Sequence, residues 1–326
     1  MSRWNYRRWA MWAATAATAG SMVGVLGSVS GASTGSAPST DAVTPTPSAT
    51  DTVEPTPSAT PTPSTTPQPT ESAAPAPAVA PQPVESTSAA DASTAMPKGD
   101  VTSNGRTWKQ SYAEDFDTDA PVGSFLSTYR QMGVYEGHSD TSGRGLYAPD
   151  KVLSASDGVL DMHLHSENGQ PLVATILPDG WAPHDTARVS IRYKTTDTEG
   201  YKFVGMLWPS SDNWNEGEID WPEAGLGGVP RPASAIPGSM SNGTMTFKPD
   251  DEQFTTSDSS EYHVATTEWD HGEVRFYWDG ALVASTTEAV PQSDMRVTLQ
   301  GETALSGDVP ADADGHVSID WISIWD

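Results

Sequence analysis

Hydrophobic and polar residues alternate along several short stretches in the C-terminal part of the chain. In residues 158–166, apolar side chains alternate with polar ones, as expected for an extended strand with one buried face. The apolar residues are Leu160, Met162 and Leu164, and the polar residues are Asp161, His163 and His165. Residues 188–195 repeat this pattern. Residues 273–279 lead through Asp279-Gly280 into residues 281–285, which is the sequence of a tight hairpin.

Two further strands are predicted at residues 295–300 and 317–325. The stretches between the strands are rich in Gly, Pro, Asp and Ser, and no segment there combines a helical period with capping residues. Many short strands joined by turns predict an all-β fold, either a sandwich or a jelly roll.

The N-terminal part of the chain does not follow this pattern. Residues 1–32 place Arg3, Arg7 and Arg8 before a weakly apolar run, which is typical of a signal peptide. An uncleaved membrane anchor and a twin-arginine signal are the alternatives. We expect an extracellular protein, secreted or tethered to the cell surface.

Residues 33–100 are dominated by Pro, Thr, Ser and Ala and contain two near-repeats ending in Thr-Pro-Ser-Ala-Thr. Such a segment cannot bury enough apolar surface to offset the entropy of ordering it, so a disordered linker is predicted. Residues 101–326 then form one domain, which is long enough to build a core without disulfides, and the chain has no cysteine.

The charge of the chain restricts its partners. There are 43 acidic against 17 basic residues, which gives a formal net charge of −26. A surface this negative repels polyanions, so nucleic acid is excluded and a neutral ligand is favoured. We expect a monomer.

Candidate chemistry is concentrated in residues 214–225. Glu218 and Asp220 are two positions apart and share one face of a strand. Glu223 reaches that face only if the strand contains a bulge, and Pro222 is typical of one. Convergent carboxylates are the usual machinery of glycoside hydrolysis, because crowding keeps one ionised as a nucleophile and one protonated as an acid. Nearby indoles suit stacking on sugar rings: Trp214 and Trp221 are the first choices, with Trp208 as a third candidate.

The hexapeptide Glu218-Ile219-Asp220-Trp221-Pro222-Glu223 resembles the signature of glycoside hydrolase family 16 in its bulged form, which is found in laminarinase- and licheninase-like endo-β-glucanases. Flanking segments are similar to the family's strands in the same order. They are Gly200-Tyr201-Lys202, Leu207-Trp208-Pro209, Phe276-Tyr277-Trp278-Asp279-Gly280, Leu299-Gln300-Gly301-Glu302 and Val317-Ser318-Ile319-Asp320-Trp321.

This resemblance implies a concanavalin-like β-jelly roll that cleaves a β-glucan (1,3 or mixed 1,3-1,4) internally with retention of configuration. Glu218 corresponds to the nucleophile, Asp220 to its helper and Glu223 to the acid/base. Independently of the resemblance, Gln300 and Glu302 alternate in direction with Leu299, so they are candidate cleft residues that bind substrate. No cofactor is required for catalysis, and Asp320 corresponds to a position that often holds a structural calcium. Family members commonly have a His after the motif, and residues 233–246 contain none.

Other interpretations stay open from the sequence. The acids could form a solvated edge or a calcium cluster, and the same fold could serve as a lectin-like binding module or a transglycosylase. His163 and His165 have a spacing that could seat a metal, but no third ligand is near them in sequence, so exposed strand histidines are favoured. The run Asp312-Ala313-Asp314-Gly315 is interpreted as a turn.

Overall fold

The computed structural model describes residues 95–235, 245–249 and 257–326. The predicted signal peptide and nearly all of the predicted linker lie outside the described residues. No helix among the described residues is long and apolar enough to cross a membrane.

The regular secondary structure of the described chain is almost entirely β-strand, with two four-residue helices, α1 (Phe125–Thr128) and α2 (Pro149–Val152). The strands are β1 (Val101–Ser103), β2 (Arg106–Trp108), β3 (Gln110–Glu114), β4 (Gly133–Val134), β5 (Leu146–Tyr147), β6 (Leu153–Ser156), β7 (Val159–Glu167), β8 (Gln170–Leu177), β9 (Ala187–Thr195), β10 (Tyr201–Pro209), β11 (Ile219–Gly225), β12 (Ala233–Ala235), β13 (Phe247–Lys248), β14 (His263–Trp269), β15 (Val274–Trp278), β16 (Ala281–Thr286), β17 (Met295–Thr303) and β18 (Asp314–Trp325).

Sixteen of these strands form one continuous sheet that folds over itself. Its main path is β13-β12-β11-β10-β17-β8-β7-β18-β9-β14-β15-β16, with β3, β4, β5 and β6 joined at the sides. The first layer contains β10, β11, β12, β13 and β17, and the second contains β7, β9, β14, β15, β16 and β18. Strand β8 pairs with β17 on one side and with β7 on the other, so it connects the two layers. The result is a nearly closed sandwich, and the predicted jelly-roll class is confirmed.

The core lies between the two layers. Gly301 on β17 faces Leu164 on β7 so closely that a Cβ on the glycine would lie 3.0 Å from the leucine side chain. The indole of Trp221 on β11 donates a hydrogen bond across the core to the carbonyl oxygen of Tyr277 on β15, at 3.0 Å. Large aromatic side chains fill this space, as expected for a sandwich, and Trp269 and Phe276 are fully buried there.

Two predicted strand segments match the structure closely. The alternation of residues 158–166 forms β7, whose apolar residues are buried. The hairpin signal at Asp279-Gly280 joins β15 to β16, and both turn residues have positive φ, 50° and 79°, as a tight hairpin of right-twisted strands requires.

Candidate active site

A β-bulge in β11 brings the three acids of the motif together. Val204 on β10 pairs with Glu223, and Met206 pairs with Asp220, so a single residue, Gly205, lies opposite both Trp221 and Pro222. The extra residue restores Glu223 to the face that carries Asp220. The bulge predicted from the spacing is therefore present.

Gly205 is required at this place because the two strands approach closely. A Cβ at Gly205 would lie 2.7 Å from the backbone carbonyl oxygen of Trp221 and 3.1 Å from the ring of Pro222. Real Cβ atoms do not approach a backbone oxygen this closely, so the bulge and the glycine form one unit.

The acids lie on the outer surface of the first layer, opposite the core. On β10 and β17 the residues Phe203, Leu207 and Leu299 point into the core, and the alternate residues point outward. We call this outer surface the acid-bearing face; it includes Lys202, Asp220, Glu223, Gln300 and Glu302.

Glu218 immediately precedes β11 and is 9% exposed. Its carboxylate accepts a hydrogen bond from the indole nitrogen of Trp214, in the 3-10 turn Trp214–Glu216. Burial raises the pKa of Glu218 to about 7; the Trp214 hydrogen bond lowers it and the charge of Glu223 raises it. Trp214 is buried against Ala235 and Met245, so the turn holds a fixed donor against the carboxylate.

Asp220 is the most strongly perturbed of the three acids. Burial raises its pKa well above the ordinary value, and the charges of Glu218 and Glu223 raise it further. A protonated Asp220 donates a hydrogen bond to Glu218, and this bond lowers the pKa of Glu218. Burial and the neighbouring charges therefore favour the protonated form of Asp220 beside an ionisable Glu218.

Glu223 differs from the other two acids because a cation lies beside it. Burial raises its pKa, while Lys202, whose Nζ lies 3.5 Å from Oε1, lowers it. Arg231 lowers it further, and the Arg231 amide donates a hydrogen bond to the Glu223 carbonyl oxygen at 2.9 Å. Desolvation therefore favours the protonated form of Glu223, and the two positive charges favour its ionised form.

Lys202 also makes a second ion pair. Its Nζ lies 3.2 Å from Oε2 of Glu302, which is completely buried. The other oxygen of Glu302 accepts hydrogen bonds from the Tyr147 hydroxyl and from Thr141 Oγ1, the latter at 2.9 Å. Glu302 is therefore fully engaged in holding Lys202, and its assignment as a residue that binds substrate is corrected.

The position beside the acids where family members would present a His is lined by small residues. Strand β12 pairs with β11 so that Ala233 lies opposite Asp220, and the amide of Ala235 donates to the carbonyl oxygen of Glu218 at 2.7 Å. Lys202 and Arg231 are the basic side chains whose charges act on Glu223 instead. Sequence reasoning missed both. Lys202 could have been found, because it lies two positions before Val204, the residue that pairs with Glu223, and therefore shares a strand face with it.

The tryptophans divide between core and outer surface. Trp221 is 4% exposed, its ring contacts Phe276 and Trp278, and its nitrogen is bonded across the core. Trp221 cannot stack on a sugar, so its assignment as a substrate-binding residue is corrected. It follows Asp220 directly in β11, and consecutive residues of a strand point to opposite faces. Trp214 is 5% exposed and its indole nitrogen donates to Glu218, so it lies directly beside the acids, and its stacking role stays a prediction.

A partly exposed aromatic patch lies at the far end of the acid-bearing face. Trp208 pairs with Arg296, and the Arg296 guanidinium lies 4.9 Å from the ring centre of Trp181. Tyr135 is 6.0 Å from the same ring. Trp181 is 55% exposed, and sequence reasoning missed it because it lies in a loop far from the motif. Gln300 lies on this face between the patch and Glu302, and with Trp208 it stays a predicted substrate contact.

The surroundings of Asp320 do not fit the predicted calcium site. Its Oδ2 lies 2.5 Å from Nη1 of Arg192, so a guanidinium already supplies the positive charge that a calcium ion would bring. The assignment of Asp320 as a metal ligand is corrected on this ground.

Comparisons with known proteins agree with the motif. The family model described as "Glycosyl hydrolases family 16" matches residues 182–323, which include all three acids. The match spans less than half of the chain and lies within the domain that carries the acids. No curated protein matches the chain.

Solved structures share the fold at low sequence identity. The endo-beta-1,3-glucanase from Pyrococcus furiosus is 14% identical, with a TM-score of 0.51, over 70% of this chain and 98% of that one. The laminarinase from Rhodothermus marinus is 16% identical, with a TM-score of 0.52, over 67% and 97%. The laminarinase from Flavobacterium sp. UMI-01 is 18% identical, with a TM-score of 0.53, over 67% and 100%.

Proposed function

We propose that the protein is a secreted, retaining endo-β-glucanase that acts on a neutral glucan with 1,3 or mixed 1,3-1,4 linkages. The observation that carries this proposal is the cluster of three carboxyl groups on one face, each with a raised pKa and each with a different neighbour. A solvated acidic edge would not bury Glu218 and Asp220 to this extent.

In the proposed mechanism the ionised Glu218 attacks the anomeric carbon while Glu223 donates its proton to the departing glycosidic oxygen. Glu223 then removes a proton from water, which attacks the same carbon and releases Glu218. Asp220 keeps its proton and its hydrogen bond to Glu218, which stabilises that carboxylate between turnovers. Bound substrate excludes water from Lys202 and Glu223. Binding can therefore shift the pKa of Glu223, because it changes both the desolvation of the carboxyl group and the effect of the Lys202 charge.

The substrate class is supported by three features. The similar structures are named as an endo-beta-1,3-glucanase and as laminarinases. The net charge of −26 disfavours a polyanionic glycan. The aromatic patch of Trp181, Tyr135 and Trp208 on the acid-bearing face is suited to the apolar faces of sugar rings.

A panel of glycans tests the proposal. We expect reducing ends from laminarin or lichenan, a mixture of oligosaccharides early in the digest, and the β-anomer as the first product observed by NMR. No release from any β-glucan, or the α-anomer first, would contradict the proposed activity. Products longer than a defined starting oligosaccharide would indicate a transglycosylase instead.

A lectin-like binding module is the second candidate, and Lys202 is the observation that favours it. An ammonium 3.5 Å from Glu223 stabilises the ionised form, which cannot act as an acid. Retention on a glucan column without any release of reducing ends would support this candidate. Measurable release that requires Glu223 would exclude it.

A further inference from the structure

The two histidines of β7 find further metal-binding side chains on the neighbouring strand. Strand β18 pairs with β7 so that His316 lies opposite His163, and Asp314 lies opposite His165. All four residues point outward from the second layer, because Met162 and Leu164 between them point into the core. The third ligand that the sequence alone did not supply is therefore provided by the fold.

Three of these side chains converge on one point. Nε2 of His163 lies 2.6 Å from Oδ1 of Asp314, and Nε2 of His316 lies 3.8 Å from the same oxygen. The three ligand atoms lie within 4.8 Å of one another. The rings of His163 and His316 are parallel, with centres 4.5 Å apart, and both Nε2 atoms approach Oδ1 of Asp314. A metal ion with bonds of about 2.0–2.2 Å can contact all three after small rotations.

Asp161 orients one of the ligands. Its carboxylate lies 3.0 Å from Nδ1 of His316, which favours the tautomer with the hydrogen on Nδ1 and leaves the Nε2 lone pair for a metal ion. A carboxylate behind a ligating histidine is the usual support of a metal-binding imidazole. His165 is directed elsewhere: its Nδ1 bonds the carbonyl oxygen of His163 at 2.9 Å, and its Nε2 lies 3.6 Å from Glu167.

We propose that His163, His316 and Asp314 form a binding site for a divalent transition metal of the zinc type. Two imidazoles and one carboxylate suit such an ion better than calcium or magnesium, which prefer oxygen ligands. Water completes the coordination, because Asp314 is exposed and the site opens to solvent. The ion joins β7 to β18 on the surface of the layer that does not carry the catalytic acids, so it stabilises the fold without entering the reaction.

The test uses the full chain without an added histidine tag, treated with a chelator and then dialysed. We expect ZnCl2 to bind with one ion per chain in calorimetry and to raise the unfolding temperature. His316→Ala should abolish saturable binding, and Asp161→Asn should weaken it about tenfold or more. His271→Ala is the matched control, because His271 also forms an exposed pair with an aspartate, Asp185, at 3.0 Å.

The outcomes are distinguishable. Loss of the zinc effect in the His316 and Asp161 variants, with retention in the His271 variant, supports the site. No saturable binding to the wild-type chain overturns the proposal, as does binding that all variants share. Circular dichroism of each variant confirms that it is folded, and glucanase activity is expected to be the same with and without zinc.

Discussion

Glu218, Asp220 and Glu223 share one buried site but not one electrostatic environment. Desolvation raises the pKa of each, and repulsion between them adds to it for Glu218 and Asp220. The neighbours then separate them: Trp214 favours the ionised form of Glu218, and Lys202 acts most strongly on Glu223. A nucleophile and an acid can therefore coexist in this site.

Removing the donor to Glu218 should shift the pH dependence of catalysis. In Trp214→Phe the carboxylate loses a hydrogen bond that lowers its pKa, so ionisation requires a higher pH. We expect the acidic limb of the kcat/KM profile, which reports free-enzyme groups, to move to higher pH. Trp208→Phe is the control, because its indole bonds Asp212 at 3.2 Å instead. An acidic limb that stays in place in Trp214→Phe would contradict this role.

Trp181 should contribute to substrate binding rather than to the chemical step. Trp181→Ala removes the most exposed aromatic ring of the patch, and we expect KM on a long glucan to rise by up to about tenfold, or about 1.4 kcal/mol, with kcat little changed. Leu282→Ala is the control, since Leu282 is equally exposed but lies on β16 in the other layer. An unchanged KM would place the sugar-binding surface elsewhere.

At the residue scale the sequence predicted the acids better than their neighbours. Glu218, Asp220 and Glu223 lie in one short motif, so spacing and a bulge are enough to group them. Lys202 and Glu302 are far apart in sequence and meet only because β10 pairs with β17. Alternation along β17 predicted an outward-facing, accessible Glu302. The side chain does face outward, but it is completely buried and bonded to Tyr147 and Thr141.

Among the elements, the paired strands β10 and β11 determine the site. Two residues of β11 are accommodated opposite one residue of β10, and that residue has no side chain. The position of Glu223 relative to Asp220 depends on this pairing, so a change in β10 can disturb the acids without touching them.

Gly205→Ala tests this dependence. The added Cβ would lie 2.7 Å from a backbone oxygen, so β11 must move away, and we expect a loss of about 1–3 kcal/mol in the free energy of unfolding together with a large loss of kcat. Gly225→Ala is matched to it at the other end of the same strand pair, where the nearest atom is 3.7 Å away, and should be tolerated. Equal kcat in the two variants would mean that the bulge does not position the acids.

The elements themselves were largely predictable. Local signals, alternation in β7 and a two-residue turn between β15 and β16, need no knowledge of the rest of the chain. The order of the strands was not predictable, because β18 pairs with β7, β9 and β3 across long stretches of sequence. For this reason the partners of His163 on β18 became visible only in the folded chain.

For the whole molecule, the buried carboxyl group of Glu218 opposes stability at neutral pH. The pKa of Glu218 is about 7 in the folded protein against 4.5 for the ordinary group. Because the pKa of Glu218 is raised in the folded protein, the protonated carboxyl group contributes fully to the free energy of unfolding below pH 4.5. This contribution is lost as the pH rises to 7. The free energy of unfolding therefore falls by on the order of 3 kcal/mol over this range.

Glu218→Gln removes this titration. We expect the variant to gain stability relative to the wild type as pH rises from 4.5 to 7.5, measured by urea unfolding at both pH values. Titrating groups far from the site are common to both proteins and cancel to first order. Asp220 does not cancel, because the charge of Glu218 raises its pKa; the substitution removes this contribution too, which changes the stability difference in the same direction. A stability difference that does not change with pH would show that Glu218 titrates normally in the folded state.

The central claim is that the acids perform glycoside hydrolysis on this scaffold. The most direct measurement compares reducing-end release by Glu218→Gln, Glu223→Gln and Glu216→Gln on the glucan that the wild type cleaves. Glu216 is the control because it lies two residues before Glu218 but bonds Ser211 and Asn213. We predict that the first two variants lose activity by at least about a thousandfold while remaining folded, and that the third retains it. Full activity in Glu218→Gln or Glu223→Gln would contradict the account.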